Sequence, residues 1–87
     1  MKIDALVREK VLMILRLRDP SAKTVTADQE LRADLGLDSL DLAQLGAEIE
    51  NALGRTIFGD VAVGAILTIG DLVATCEELL AEPDRVS

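Results

Sequence analysis

The stretch Asp34-Leu35-Gly36-Leu37-Asp38-Ser39-Leu40-Asp41 holds the residues best placed to do chemistry. It sets a serine hydroxyl just after a glycine-containing loop and at the start of an acidic, apolar-periodic segment. A serine in the first turn of a helix is exposed and lies beside backbone N–H groups that have no intrahelical partner. A phosphate attached to it would sit at the positive end of the helix dipole. Ser39 is not an activated nucleophile of this chain, because no histidine exists to take its proton and its near neighbours are carboxylates. Its hydroxyl reads instead as a substrate for another enzyme. Taken alone, Asp-Ser at a helix start is also an ordinary cap.

Residue types exclude most other site chemistry. With no histidine and a single cysteine, Cys76, the chain holds no Ser-His or Cys-His nucleophile, no histidine-ligated metal, no cysteine-zinc site and no internal disulfide. Asp34, Asp38 and Asp41 lack the alternating spacing of a calcium loop, so no metal ligand is assigned. Phe58 is the only aromatic residue, which removes any stacking platform for bases. Charge is polarised along the chain. Residues 1–35 carry seven basic and six acidic residues, whereas residues 36–87 carry only Arg55 and Arg85 against ten acids. Such a surface repels nucleic acid and anionic membrane and suits a basic protein partner. No apolar run approaches the roughly 20 residues of a membrane span, and no leader pattern is visible at the start. With a lone cysteine, this points to a reducing cytoplasm. A monomer is the default expectation.

These residues must be positioned by helices. Ile3, Leu6, Val7, Val11, Ile14 and Leu15 recur at three- and four-residue spacing, which predicts a helix from Ile3 to about Arg18, stopped by Asp19-Pro20. A long polar loop follows, anchored by Leu31 and Leu35. Asp38 is a good cap for a second helix, with Asp41 as its capping-box partner and Gly54 as its natural end. Leu42, Leu45, Ile49 and Leu53 form its buried stripe; Asp41, Gln44, Glu48 and Asn51 form the polar one. A short, weakly helical segment is expected from about Asp60 to Ala65. Thr68-x-x-Asp71 opens a last helix whose apolar face is Ile69, Leu72, Val73, Cys76, Leu79 and Leu80. No segment alternates long enough for a strand. The expected fold is all-α, a small four-helix bundle of three main helices and a short third one, with a single domain over residues 1–82 and a tail over 83–87. Cys76 is expected in the core.

The string Leu35-Gly36-Leu37-Asp38-Ser39-Leu40-Asp41-Leu42 resembles the signature of the acyl carrier protein family, in which an L-G-x-D-S-L core opens the second of four helices. The resemblance extends over nearly the whole chain: its length, its acidity, the long first loop, the helix order and the Thr68-Ile69-Gly70-Asp71-Leu72 start of the last helix. It implies that Ser39 bears 4′-phosphopantetheine, attached from coenzyme A by a phosphopantetheinyl transferase. It implies that Asp38 helps position the metal ion during that transfer. It implies further that acyl or aminoacyl cargo rides as a thioester on the arm and is handed between enzymes with basic patches. The chain would then be a carrier and not an enzyme. Leu40, Asp41, Glu48 and Glu50 would form the partner surface, and Leu45, Ile49, Ala62 and Ile66 a groove for cargo.

The chain departs from the family pattern in three places. Gln44 stands where a glutamate is frequent. Gly46 and Ala47 fall where bulkier apolar residues are common; close helix packing is favoured over an opening for cargo. The segment Ile57–Leu67 is strongly apolar where fatty-acid carriers have an acidic, proline-containing stretch, and part of it is expected to offer an exposed partner contact or a cargo lining, the alternative being extra core with a looser third helix. Within the family, the Asp-Ser-Leu core implies an acyl or polyketide-type carrier over a peptidyl one. The departures in the third segment argue against a housekeeping fatty-acid carrier, so a fatty-acid-like, polyketide or other specialised biosynthetic pathway, or an aminoacyl carrier, is expected. The competing class is an unmodified acidic helical interaction module in which Ser39 only caps.

Overall fold

The computed structural model describes residues 2–59 and 63–81. Three α-helices form: α1 (Ile3–Arg16), α2 (Ser39–Leu53) and α3 (Ile69–Ala81), with a 3-10 turn at Val63–Ala65 before α3. Helix α1 packs on both α2 and α3, and the 3-10 turn packs on α2. The expected third helix is therefore reduced to this turn among the described residues.

Each helix buries the stripe its spacing dictates. Helix α1 buries Leu6, Val7, Val11 and Ile14; α2 buries Leu42, Leu45, Gly46 and Ile49; α3 buries Ile69, Leu72 and Cys76. All of these except Leu6 and Gly46 meet in one core. Helix α1 ends two residues earlier than its periodicity suggests. Beyond Arg16 the bonding tightens, with Leu17 N–H donating to the Ile14 carbonyl at 3.1 Å and Arg18 N–H to that of Leu15 at 3.0 Å. Leu17 is left 70% exposed.

The loop between α1 and α2 is sewn to the segment that leads into α3. Leu31 N–H donates to the Leu67 carbonyl (2.9 Å), Ile69 N–H to Gln29 (3.1 Å) and Gly70 N–H to Ala27 (2.8 Å). Gly70 suits that crossing, because a Cβ there would press on the Ala27 carbonyl oxygen at 3.1 Å. Val25, Leu31 and Leu37 are the loop's buried anchors, while Leu35 is only half-buried. This stitching, together with the Arg8 guanidinium donating to the Val25 carbonyl at 2.9 Å, makes a long loop into a fixed platform in front of α2.

The large apolar side chains described in the segment after α2 lie mostly in the core. Ile57, Phe58 and Val63 are buried, Ile66 is half-buried, and Leu67 is 59% exposed. Among the described residues, the large apolar side chain left for the expected contact is Leu67; residues 60–62 lie outside the described residues. Gly46 faces this segment. A Cβ at Gly46 would lie 3.0 Å from Val63 Cγ2 and 3.7 Å from Phe58 Cδ2. The glycine serves close approach of the turn to α2, and no space opens there.

Candidate functional site at the start of helix α2

Asp38 takes the N-cap position with extended backbone, so Ser39 becomes the first residue of α2. The cap is reciprocal. Asp38 Oδ1 accepts from Asp41 N–H at 2.9 Å, and Asp41 Oδ2 accepts from Asp38 N–H at 3.1 Å. Gly36, at φ +71°, supplies the left-handed bend that turns the chain into this cap.

Two arginines from outside the helix complete the site. Arg18, just past α1, places Nη2 2.9 Å from Asp38 Oδ2 and 2.6 Å from Asp41 Oδ2. The Asp41 N–H first, and the Arg18 guanidinium with it, hold the Asp38 carboxyl below the ordinary value of 3.8. Arg32, from the loop, donates from Nη2 to Ser39 Oγ at 3.2 Å, while its Nε lies 3.5 Å from the Gly64 carbonyl, at the outer limit of a hydrogen bond. Ser39 and Leu40 are both exposed, Leu40 at 81%. The arrangement offers an accessible primary hydroxyl at a helix start, with a cation on its oxygen. It contains no strong base for that hydroxyl: the Asp38 carboxyl is held below its ordinary value and is already bonded to the Asp41 N–H and Arg18, and the Asp41 carboxylate is bonded to the Asp38 N–H and Arg18.

The other residues singled out from the sequence do not share one surface. Asp41 and Glu48 are half-buried on α2, and Gln44 is exposed between them. Glu50 is engaged in the fold: its Oε2 accepts from Ile57 N–H at 2.9 Å and Phe58 N–H at 3.1 Å. Helical spacing alone could not reveal this, because both donors lie beyond the helix end. Leu45 and Ile49 have no exposure at all and belong to the closed core. Ile66 lies elsewhere, on an open depression of about 400 Å³ bordered by Leu67 of the approach to α3 and by Asp71, Thr75 and Glu78 of α3. Ala62 lies outside the described residues. The three described groove residues are thus not gathered into an open channel.

Sequence reasoning missed Arg18 and Arg32. Each reaches the site across a bend in the chain, 20 residues from Asp38 and 7 from Ser39, and neither spacing carries a local signal. Their one legible trait is that they are cations flanking the acidic half of the chain.

The residues fit a phosphopantetheine group. Its attachment needs an exposed hydroxyl, and its phosphodiester is an anion that suits a helix start and a guanidinium. Residues 5–76 match the family model described as the phosphopantetheine attachment site. The chain is 35% identical over 69 residues to acyl carrier protein 3 of Ralstonia nicotianae, an alignment covering 79% of this chain and 78% of that protein. No solved structure matches at a significant level. A match over most of the chain, on a fold that presents a serine at the start of α2, makes this a phosphopantetheine-dependent carrier of the acyl carrier protein family and not a catalyst.

Proposed function

We propose that Ser39 is the residue that bears 4′-phosphopantetheine and that the chain carries an acyl or aminoacyl group between enzymes. The observation that carries this reading is the exposed Ser39 hydroxyl at the first position of α2, held in place by the Asp38–Asp41 box. On loading, Ser39 Oγ forms a bond to phosphorus, the bond from that phosphorus to the nucleotide part of coenzyme A breaks, and the hydroxyl proton leaves to a base of the transferase. The base must come from the transferase, because this chain has no histidine and Asp38 is occupied by its cap and Arg18. The terminal thiol of the arm supplies the thioester that holds cargo. Asp38 supports the step by fixing Ser39 at the helix start; a metal ion would have to displace or share its bond to Arg18.

Partners in this reading are a phosphopantetheinyl transferase and acyl-loading and acyl-processing enzymes with basic patches. They would meet α2 through exposed Leu40, as an apolar anchor, and through Asp41 and Glu48. Both acids are half-buried and Asp41 is paired with Arg18, so their charge would speed encounter more than add affinity. Glu50 contributes to that surface through the loop it holds and less through free charge. Cargo would gain shelter only by parting the core at Leu45 and Ile49; Ala62 and Ile66 are the other two residues the reading assigns to it. A specialised biosynthetic pathway, a cytoplasmic setting and a monomer complete the reading, with the carrier domain over 1–82. Among the described residues, no helix is long and apolar enough to cross a membrane.

The test is the intact mass of purified protein after incubation with coenzyme A, magnesium and a broad-specificity phosphopantetheinyl transferase, beside Ser39→Ala. One added group on the parent and none on Ser39→Ala is expected. A folded parent with no mass gain would overturn the reading in favour of an unmodified interaction module.

A further inference from the structure

We propose that Arg32 is a docking residue for the phosphodiester of the loaded protein, pinning the root of the prosthetic arm against the 3-10 turn. The inference rests on Ser39 being the attachment residue and concerns what the folded chain does with the group once attached.

The two arginines beside the start of α2 are in opposite electrostatic states. Arg18 is neutralised by Asp38 and Asp41. Arg32 has no carboxylate partner among the described residues; its bonds are to the Ser39 hydroxyl and, marginally, to the Gly64 carbonyl. Its Nη2 is already 3.2 Å from the oxygen that would bond to phosphorus. Once Ser39 is esterified, that oxygen becomes a poorer acceptor, while two non-bridging oxygens sharing one negative charge appear two bonds from it. A guanidinium exchanges a neutral acceptor for a charged one, which gives a stronger bond with forked geometry. Gly64 makes the space for this. A Cβ at position 64 would come within 3.1 Å of Arg32 Nη2, so a side chain there would crowd the guanidinium where it now lies. The neighbouring residue, Val63, is seated against Gly46 of α2, which fixes the turn under the arginine. The consequence is an arm whose first bonds are held toward the turn at Val63–Ala65 and whose far end remains free.

Phosphorus NMR of the loaded protein tests this, with intact mass proving that each sample is loaded. The comparison is between the parent, Arg32→Gln and Arg55→Gln. Arg32 is exposed, so its loss should leave the fold intact. Arg55 follows α2 at its other end, about 20 Å away at 1.5 Å per residue, and its removal changes net charge equally. At low salt the parent and Arg55→Gln should give the same shifted, broadened phosphodiester signal, and Arg32→Gln a sharper one displaced toward a free phosphodiester. The difference should collapse near 1 M salt, where the Debye length falls to about 3 Å. Identical signals for the loaded parent and Arg32→Gln would overturn the contact while leaving the attachment reading intact. Equal displacement in both variants would also overturn it, by reducing the effect to net charge. A parent that gains no mass would overturn the attachment reading and this inference with it.

Discussion

Replacing Gly46 by alanine sets two effects of known size against each other. Alanine in a helix interior is favoured over glycine by about 1 kcal/mol. The added methyl, however, would stand 3.0 Å from Val63 Cγ2, and Phe58 Cδ2 and Cε2 close the other side at 3.7 and 3.8 Å. Val63 is a β-branched side chain with little rotamer freedom, 9% exposed and seated on a turn whose two neighbours are glycine and alanine. It cannot swing away as a lysine end could, so the turn itself must shift. Overpacking of this kind costs about 1–3 kcal/mol. The net expectation for Gly46→Ala is a loss of about 1 kcal/mol, or about 4–8 °C in Tm for a domain of this size. In a Val63→Ala background the obstacle is gone, and the same substitution should stabilise by up to about 1 kcal/mol relative to Val63→Ala alone. Urea denaturation of the four proteins in the cycle reads the coupling directly. If Gly46→Ala stabilised the parent by the full helix-propensity increment, the tight seating of the turn on α2 would be refuted, and with it the support placed beneath Arg32.

Further expectations follow from other groups. Burial, with the nearby Glu77 charge second, pushes the Cys76 thiol up from 9.0 to about 11. A thiol raised in the folded state contributes stability fully below about 9 and loses it as pH climbs through about 11, so the parent should lose stability over that alkaline window and Cys76→Ala should lose less. For the same reason a thiol reagent at pH 8 should titrate no thiol in the folded unloaded protein and one in the loaded protein. Asp38 is lowered below 3.8 in the fold, so its contribution is present above that value and is lost as pH falls below it through the folded value; Asp38→Ala should lower Tm at pH 7 and show a flatter acid limb in a pH series. Glu50→Ala strands the Ile57 and Phe58 N–H groups and should cost about 1–3 kcal/mol by urea denaturation, with Glu50→Gln, which keeps an acceptor oxygen, costing less.

What was legible in the sequence was what the chain encodes locally. The Asp38–Asp41 and Thr68–Asp71 boxes, the Gly54 end and the apolar stripes all lie within a helical turn or two of the residues they organise, and the structure forms each of them. Family membership was legible for a related reason, since its signature is a contiguous string around Ser39. The rest depends on contacts between segments. Arg18 reaches Asp38 and Asp41 only because α1 and α2 pack, and Arg32 reaches Ser39 only because the loop is sewn to residues 67–70. Glu50 looked like one more surface acid because its partners are backbone amides seven and eight residues on. Leu45 and Ile49 served two roles on paper, core and cargo wall, and periodicity could not say whether the core stays closed over them. The weakly helical segment before α3 lacked a strong period, and the turn found at Val63–Ala65 is set by packing on α2 more than by propensity.

Peptide mass mapping of the loaded protein tests the central claim most directly. Cleavage after arginine releases Ala33–Arg55, in which Ser39 is the only hydroxyl-bearing side chain. The account predicts the full phosphopantetheinyl mass on that peptide and on no other. Loaded protein in which Ala33–Arg55 runs at its unmodified mass, with the group on a peptide from elsewhere, would contradict it.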